Sequence, residues 1–201
     1  MTAKPLKAKK KRVAWGITGS GEKLHETIEM MKELKRLYGH EVDINVYLSK
    51  AGEQVAKYYR LLDDLKMSFG KVAVEVNANS PFLAGQLQLG LFKFLLIAPA
   101  TSNTVAKIAV GIADSMLSNA AAMALKARIA IYVLPSDWKE GTVVTKLPDG
   151  RELNIHVRKE DADNTRKLKT MENVFVIEHP EAIHEIFNKH FDKEKPAKPL
   201  F

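Results

Sequence analysis

The chain has 201 residues, 46% of them hydrophobic, and no cysteine. A domain of this length buries roughly 70% of its unfolded surface without a metal or disulfide staple. The absence of cysteine excludes disulfides, thiolate metal sites, cysteine-ligated iron–sulfur clusters and a catalytic thiol.

No apolar run reaches the ~20 residues of a membrane span. No long apolar stretch follows the basic start, so a secretory signal is not expected and a cytoplasmic setting is. The formal net charge is +7, and much of it lies in Lys4, Lys7, Lys9, Lys10, Lys11, Arg12 and Lys23. Aromatic residues do not interleave with these cations, which argues against nucleic-acid binding. The organisation expected is a basic arm over 1–11, a single domain over 12–191 and a flexible tail over 192–201.

Arg12 to Thr18 reads as an apolar strand that runs into Gly19-Ser20-Gly21. Leu24, Ile28, Met31, Leu34 and Leu37 recur at helical spacing. Val42 to Leu48 reads as a second strand, and Ser49 is placed to cap the next helix, whose apolar positions are Val55, Ala56, Tyr59 and Leu62. Val72 to Val76 is a short third strand.

Phe92 to Ala98 is almost continuously apolar, as in a central parallel strand covered on both faces, and Pro99 is expected to end it. Helices follow over 102–110 and 113–126, then a buried strand from Ile129 to Leu134. Thr142 to Lys146 and Glu152 to Val157 flank Pro148-Asp149-Gly150, a hairpin signal. A polar helix over 161–171, a strand from Val174 to Ile177 and a helix opened by Pro180 close the chain. Alternating strands and helices of this kind predict an open, doubly wound α/β domain, with a hairpin excursion near its C-terminus.

Four stretches are candidates for chemistry. Gly16-Ile17-Thr18-Gly19-Ser20-Gly21 offers backbone amides, two hydroxyls and a helix N-terminus to an anion, or is simply a tight turn. It is neither a P-loop nor a full dinucleotide fingerprint. Ser49-Lys50-Ala51-Gly52 is a helix cap, or a second loop beside the first. Pro99-Ala100-Thr101-Ser102-Asn103-Thr104 places small polar groups directly after a buried strand, where they cap a helix or meet a planar ring. Asp114 is expected to begin the helix that contains Leu117, Ser118 and Asn119. The six histidines are scattered without metal-ligand spacing, and no acid–base dyad stands out.

Pro99 to Thr104 resembles the PASANT motif of the homo-oligomeric flavin-containing cysteine decarboxylases, and Gly111-Ile112-Ala113-Asp114 resembles the segment that follows it there. Trp15 to Gly21, Val76 to Phe82 and Lys139 to Thr145 narrow the resemblance to the archaeoflavoproteins and dihydromethanopterin reductases, over about residues 12 to 180. The resemblance implies a flavodoxin-like (Rossmann-like), three-layer fold, FMN as cofactor and a homotrimer or higher assembly with flavin near subunit contacts.

Carried over by position, Gly19, Ser20 and Ser49 would meet the FMN phosphate and ribityl chain. The motif Pro99, Ala100, Thr101, Ser102, Asn103 and Thr104 would meet the ring or ribityl side. Asp114, Leu117, Ser118 and Asn119 would border the site or a neighbouring subunit. The decarboxylases' substrate clamp is absent; Pro135-Ser136-Asp137-Trp138-Lys139-Glu140-Gly141 stands in its place. The resemblance therefore implies an FMN-dependent oxidoreductase rather than a decarboxylase. As an electron carrier it would be reduced by ferredoxin or an iron–sulfur flavoprotein, with the basic arm suited to an acidic donor. As an enzyme it would reduce a dihydropterin, with Asp137, Trp138 and Lys139 lining the pterin pocket. A further alternative is a non-redox flavin-binding or prenyl-flavin-type assembly.

Overall fold

The computed structural model describes residues 9–147 and 149–192. Most of the expected basic arm, the whole tail beyond Asp192 and the hairpin residue Pro148 lie outside those residues.

Six parallel strands form the central sheet in the order β3-β2-β1-β4-β5-β8. They are β1 (Lys11–Ile17), β2 (Val42–Leu48), β3 (Val72–Val74), β4 (Phe94–Ala100), β5 (Ala130–Pro135) and β8 (Val174–Val176). The chain builds outward from β1 to β3, returns to β4 beside β1, and then builds the other way. That reversal puts the topological switch point between the carboxyl ends of β1 and β4, where open α/β sheets bind ligands. The expected doubly wound fold is the one observed.

Alternation along the strands sorts side chains into two cores. Val13, Trp15, Ile17, Phe94, Leu96 and Ala98 face one side, against α1 (Leu24–Tyr38), α3 (Leu62–Phe69) and α8 (Ala182–Phe191). Ala14, Leu95, Ile97 and Ala100 face the other, against α4 (Leu83–Gln88), α5 (Ser102–Val110) and α6 (Met116–Lys126). Both faces of β1 and β4 are thus dry, which is why these strands read as continuous apolar runs. Trp15 places its polar edge inside this core by donating Nε1–H to the Ala98 carbonyl at 2.7 Å.

The hairpin is present as β6 (Gly141–Lys146) and β7 (Glu152–Val157), paired antiparallel and separate from the main sheet. The remaining helices are α2 (Lys50–Tyr58) and α7 (Lys159–Leu168).

Four local expectations are corrected. Pro99 does not end its strand: β4 runs through it to Ala100, with its register to β5 shifting between Ile97 and Ala100. The helix after Ser49 does not continue through Leu62, because Arg60 adopts the left-handed conformation (φ 58°) and separates α2 from α3. The third strand stops at Val74, and the short helix α4 lies in the stretch between it and β4 that carried no element in the sequence reading. Asp114 does not begin a helix. Ser115 does, in a reciprocal capping box with Ser118, so that both hydroxyls satisfy first-turn amides.

Candidate functional site

Thr18 lies just beyond β1 and is buried. Its Oγ1 donates to the Pro99 carbonyl at 2.9 Å and accepts the Thr101 amide at 2.7 Å. A second bond runs from the Thr18 amide to the same Pro99 carbonyl at 3.1 Å. The sequence reading offered this hydroxyl to an anion; the structure uses it to fasten the β1–α1 loop to the start of α5. Thr101 in turn caps α5, its hydroxyl accepting the Thr104 amide.

Beyond Thr18 the loop turns tightly, Ser20 N–H donating to Thr18 O at 2.9 Å. Among the described residues, the amides of Gly19, Gly21 and Glu22 donate to no protein group. Unspent amides at the entrance to a helix form an anion site, because their dipoles and the helix macrodipole point the same way. A Cβ on Gly19 would lie 2.7 Å from Ala51 Cβ on α2, and one on Gly21 would meet the Tyr59 hydroxyl at 2.4 Å. A side chain at position 19 would force the loop off α2, whereas one at position 21 would displace the Tyr59 ring. Ser20 Oγ accepts a hydrogen bond from Ser136 Oγ at 2.6 Å, and the Ser136 amide donates to Ala100 O at 2.9 Å. The ends of β1, β4 and β5 are thereby held together.

A cavity of about 280 Å³ opens on these loops. Its floor is Gly19, Ser20, Gly21, Thr101 and Ser102, and Tyr59 and Asp137 stand at its sides. Its roof is the hairpin, through Thr145, Leu147, Leu153 and Ile155. Burial raises the Asp137 carboxyl above the ordinary carboxylate range, while a hydrogen bond from Ser102 opposes the shift. Glu22, on the same wall, is likewise raised by burial, with Lys23 opposing it.

Of the thirteen residues predicted for the site, the structure gathers Gly19, Ser20, Thr101 and Ser102 around this cavity. Pro99 and Ala100 are buried behind it and contribute carbonyls to the bracing just described. Asn103 is exposed on the first turn of α5, and Thr104 is buried beneath it. Ser49 caps α2 by accepting the Gly52 amide at 2.9 Å. Asp114 is exposed and paired with Lys107 at 2.8 Å, which lowers its pKa. Leu117 is core, packed under Gly16 of β1. Ser118 belongs to the capping box of α6, and Asn119 donates to Ala78 O and Asn79 Oδ1, both at 3.0 Å. None of these last five lines the cavity.

Three features were missed. Tyr59 was assigned to a helix core, and the hairpin was assigned no role. Glu75 was not singled out at all, yet it joins the Ser49 and Ser118 regions: its two oxygens accept the first amide of α2 (Lys50, 3.3 Å) and of α6 (Met116, 2.7 Å). Position beside a strand end was the one available signal. A neighbouring cavity of about 310 Å³ shares Glu22 and Ser136 with the first and is lined further by Lys23, Trp138 and Lys139. Among the described residues there is no cluster of metal-ligating side chains, and no helix is long and apolar enough to cross a membrane.

The residues present fit a flavin mononucleotide in kind. Free amides and a serine hydroxyl suit a phosphate, small polar groups after β4 suit a hydrogen-bonding ring, and an apolar hairpin face suits an aromatic surface. The flavoprotein family profile matches residues 1–198. An uncharacterised protein of Methanocaldococcus jannaschii is 46% identical over 92% of this chain and 98% of its own. The dihydromethanopterin reductase (acceptor) of the same organism is 33% identical over 88% of this chain and 96% of its own. Burkholderia xenovorans DmrB, solved in complex with FMN and described as a cubic protein cage for redox transfer, superimposes with a TM-score of 0.78 at 29% identity, covering 92% of this chain and 97% of DmrB.

Proposed function

The chain belongs to the flavoprotein family, and from that premise we propose that it is an FMN-dependent reductase of a dihydropterin. The observation that carries this reading is the convergence, at the switch point between β1 and β4, of unspent loop amides with Thr101 and Ser102 around one cavity. The likeness to dihydromethanopterin reductase and to FMN-bound DmrB supports it.

When bound, FMN supplies the redox chemistry, and the protein supplies position and electrostatics. The amides of Gly19, Gly21 and Glu22, backed by the N-terminus of α1, hold the phosphate. Ser20, oriented by Ser136, adds a hydroxyl. Thr101 and Ser102 border the ribityl and ring side. Leu147, Leu153 and Ile155 of the hairpin keep water off the ring, which strengthens every polar contact beneath them.

The donor in this reading is an iron–sulfur protein such as ferredoxin. The described basic residues Lys9 to Arg12, with Lys93, lie at the amino ends of the strands. From Arg12, five further residues of β1 at ~3.3 Å each lead to the edge where the cavity lies. A donor docked on these described cations would therefore sit on the far side of the sheet from the cavity, and the hairpin side is the better approach. The exposed apolar side chains Val76, Phe82, Leu89 and Ile112 are available for contact between copies of the chain in this reading.

The test is direct. Protein saturated with FMN and desalted is expected to retain a flavin spectrum, to bleach on reduction and to recover its colour when dihydropterin is added under anaerobic conditions. Retained flavin without reoxidation by dihydropterin would reject the reductase reading and leave the carrier reading; a colourless protein would reject both.

A further inference from the structure

Lys23 departs from local rules in two ways. It holds the left-handed conformation (φ 58°, ψ 8°) at the cap of α1, without glycine's freedom. Its ammonium is buried and makes no hydrogen bond. Its ion-pair contact is Glu22 Oε1, at 3.4 Å. A buried charge left short of partners is unfavourable unless something else meets it. A strained residue of this kind persists where the surrounding structure holds it, often at ligand sites.

Lys23 lines the 310 Å³ cavity, which is at the small end of the ~300–1,000 Å³ range of small-molecule sites. Trp138, half-buried in the loop after β5, lines the same cavity. Glu22 lines both this cavity and the flavin cavity, and Ser136 does the same. An occupant would therefore be a direct neighbour of the flavin.

The adjacent carboxylate and ammonium present two acceptor oxygens followed by a donor. That array complements the 2-amino-4-oxo edge of a pterin, which presents two parallel N–H donors followed by a carbonyl. Resting on the reductase reading above, we propose that this cavity is the pterin subsite: Glu22 receives the amino and ring N–H groups, Lys23 donates to the ring carbonyl, and the Trp138 indole covers one face of the bicycle. Lys23 then gains a hydrogen-bond acceptor beyond its ion pair with Glu22.

The experiment is equilibrium dialysis of oxidised pterin against FMN-loaded protein, which needs no turnover. Wild type is expected to bind. Glu22→Gln and Lys23→Gln are each expected to weaken binding about tenfold, the loss of one charge-assisted hydrogen bond. Trp138→Ala weakens it too, and Trp138→Phe restores most of it. Flavin content and unfolding midpoint, measured on each variant, separate a lost contact from a lost fold. The chain has two tryptophans, and the other, Trp15, is fully buried. Emission quenched by pterin in wild type but not in Trp138→Phe would therefore place the ring at Trp138. Guanosine shares the hydrogen-bonding edge, and binding as tight as pterin's would overturn the assignment. Turnover of dihydropterin with pterin affinity unchanged in all three polar and aromatic variants would overturn the subsite while leaving the reductase reading intact. Absence of both binding and turnover would reject the two together.

Discussion

Thr18 and Thr101 are joined across the sheet edge by a 2.7 Å hydrogen bond from the Thr101 amide to the Thr18 hydroxyl. The same hydroxyl donates to the Pro99 carbonyl. The floor of the proposed flavin cavity is thus fixed by one buried side chain that does not itself line the cavity. Thr18→Val keeps the shape but leaves the Thr101 amide unsatisfied, at a cost of about 1–3 kcal/mol. Urea unfolding should show that loss, with flavin affinity falling alongside it, and Thr18→Ser should recover most of both. Valine with wild-type stability would mean that the Thr101 amide finds another acceptor.

Gly19 makes a sharper case for close approach. Its missing Cβ leaves room for Ala51, whose own Cβ would stand 2.7 Å from an alanine methyl at position 19. Both atoms sit on backbone rather than on flexible chains, so Gly19→Ala must push the loop away from α2. The expected result is at least ~10-fold weaker FMN binding, equivalent to about 1.4 kcal/mol. The double variant Gly19→Ala with Ala51→Gly removes one methyl of the clash and should restore affinity. Failure of that rescue, measured by flavin fluorescence titration, would locate the defect in loop conformation instead.

What the sequence disclosed and what it hid follow from the range of the interactions. β1 and β4 were legible because burial on both faces makes them apolar throughout, and Ser49 because an N-cap is a local pattern. Arg60 was not legible: a left-handed arginine carries no glycine or proline to mark the break between α2 and α3. Asp114 and Ser115 are adjacent and both are good caps, and only the reciprocal bonds with Ser118 decide between them. In the site, the loops at strand ends could be found from small residues after apolar runs. The hairpin roof and Tyr59 could not, since nothing within those segments encodes where the rest of the chain lies. Glu75 was hidden for the same reason, its two partners being 25 and 41 residues away.

His190 gives the fold a defined pH response. Its Nε2 lies 2.9 Å from the Tyr132 hydroxyl, its ring packs 4.9 Å from that of Phe94, and Lys189 and Lys93 are the cations near it. Burial, then those two lysines, hold its pKa below the ordinary histidine value. The folded state therefore favours neutral imidazole, whereas the unfolded chain takes up a proton near pH ~6.5. Stability from this group is full above that value and is lost as pH falls through the lower folded value. His190→Gln keeps a hydrogen-bonding partner for Tyr132 without titrating. Denaturant midpoints measured between about pH 7.5 and 5 should fall less steeply for this variant than for wild type. Parallel curves would show that the acid sensitivity originates elsewhere.

Glu75 carries the last prediction, because one carboxylate serves two helices. Its oxygens accept the first free amides of α2 and α6, where both macrodipoles are positive, and its own amide is held by Leu48 O at 2.9 Å. Glu75→Ala strips a charged cap from both helices at once, and about 1–2 kcal/mol is expected to be lost. Glu75→Gln retains one acceptor oxygen and loses the charge, so its cost should be intermediate. Hydrogen exchange distinguishes this from a general weakening: faster exchange in the alanine variant should concentrate in the first turns of α2 and α6 and leave α8 unchanged. Uniform acceleration across the sheet would instead mark Glu75 as part of the global fold rather than as a clamp on the two helix starts.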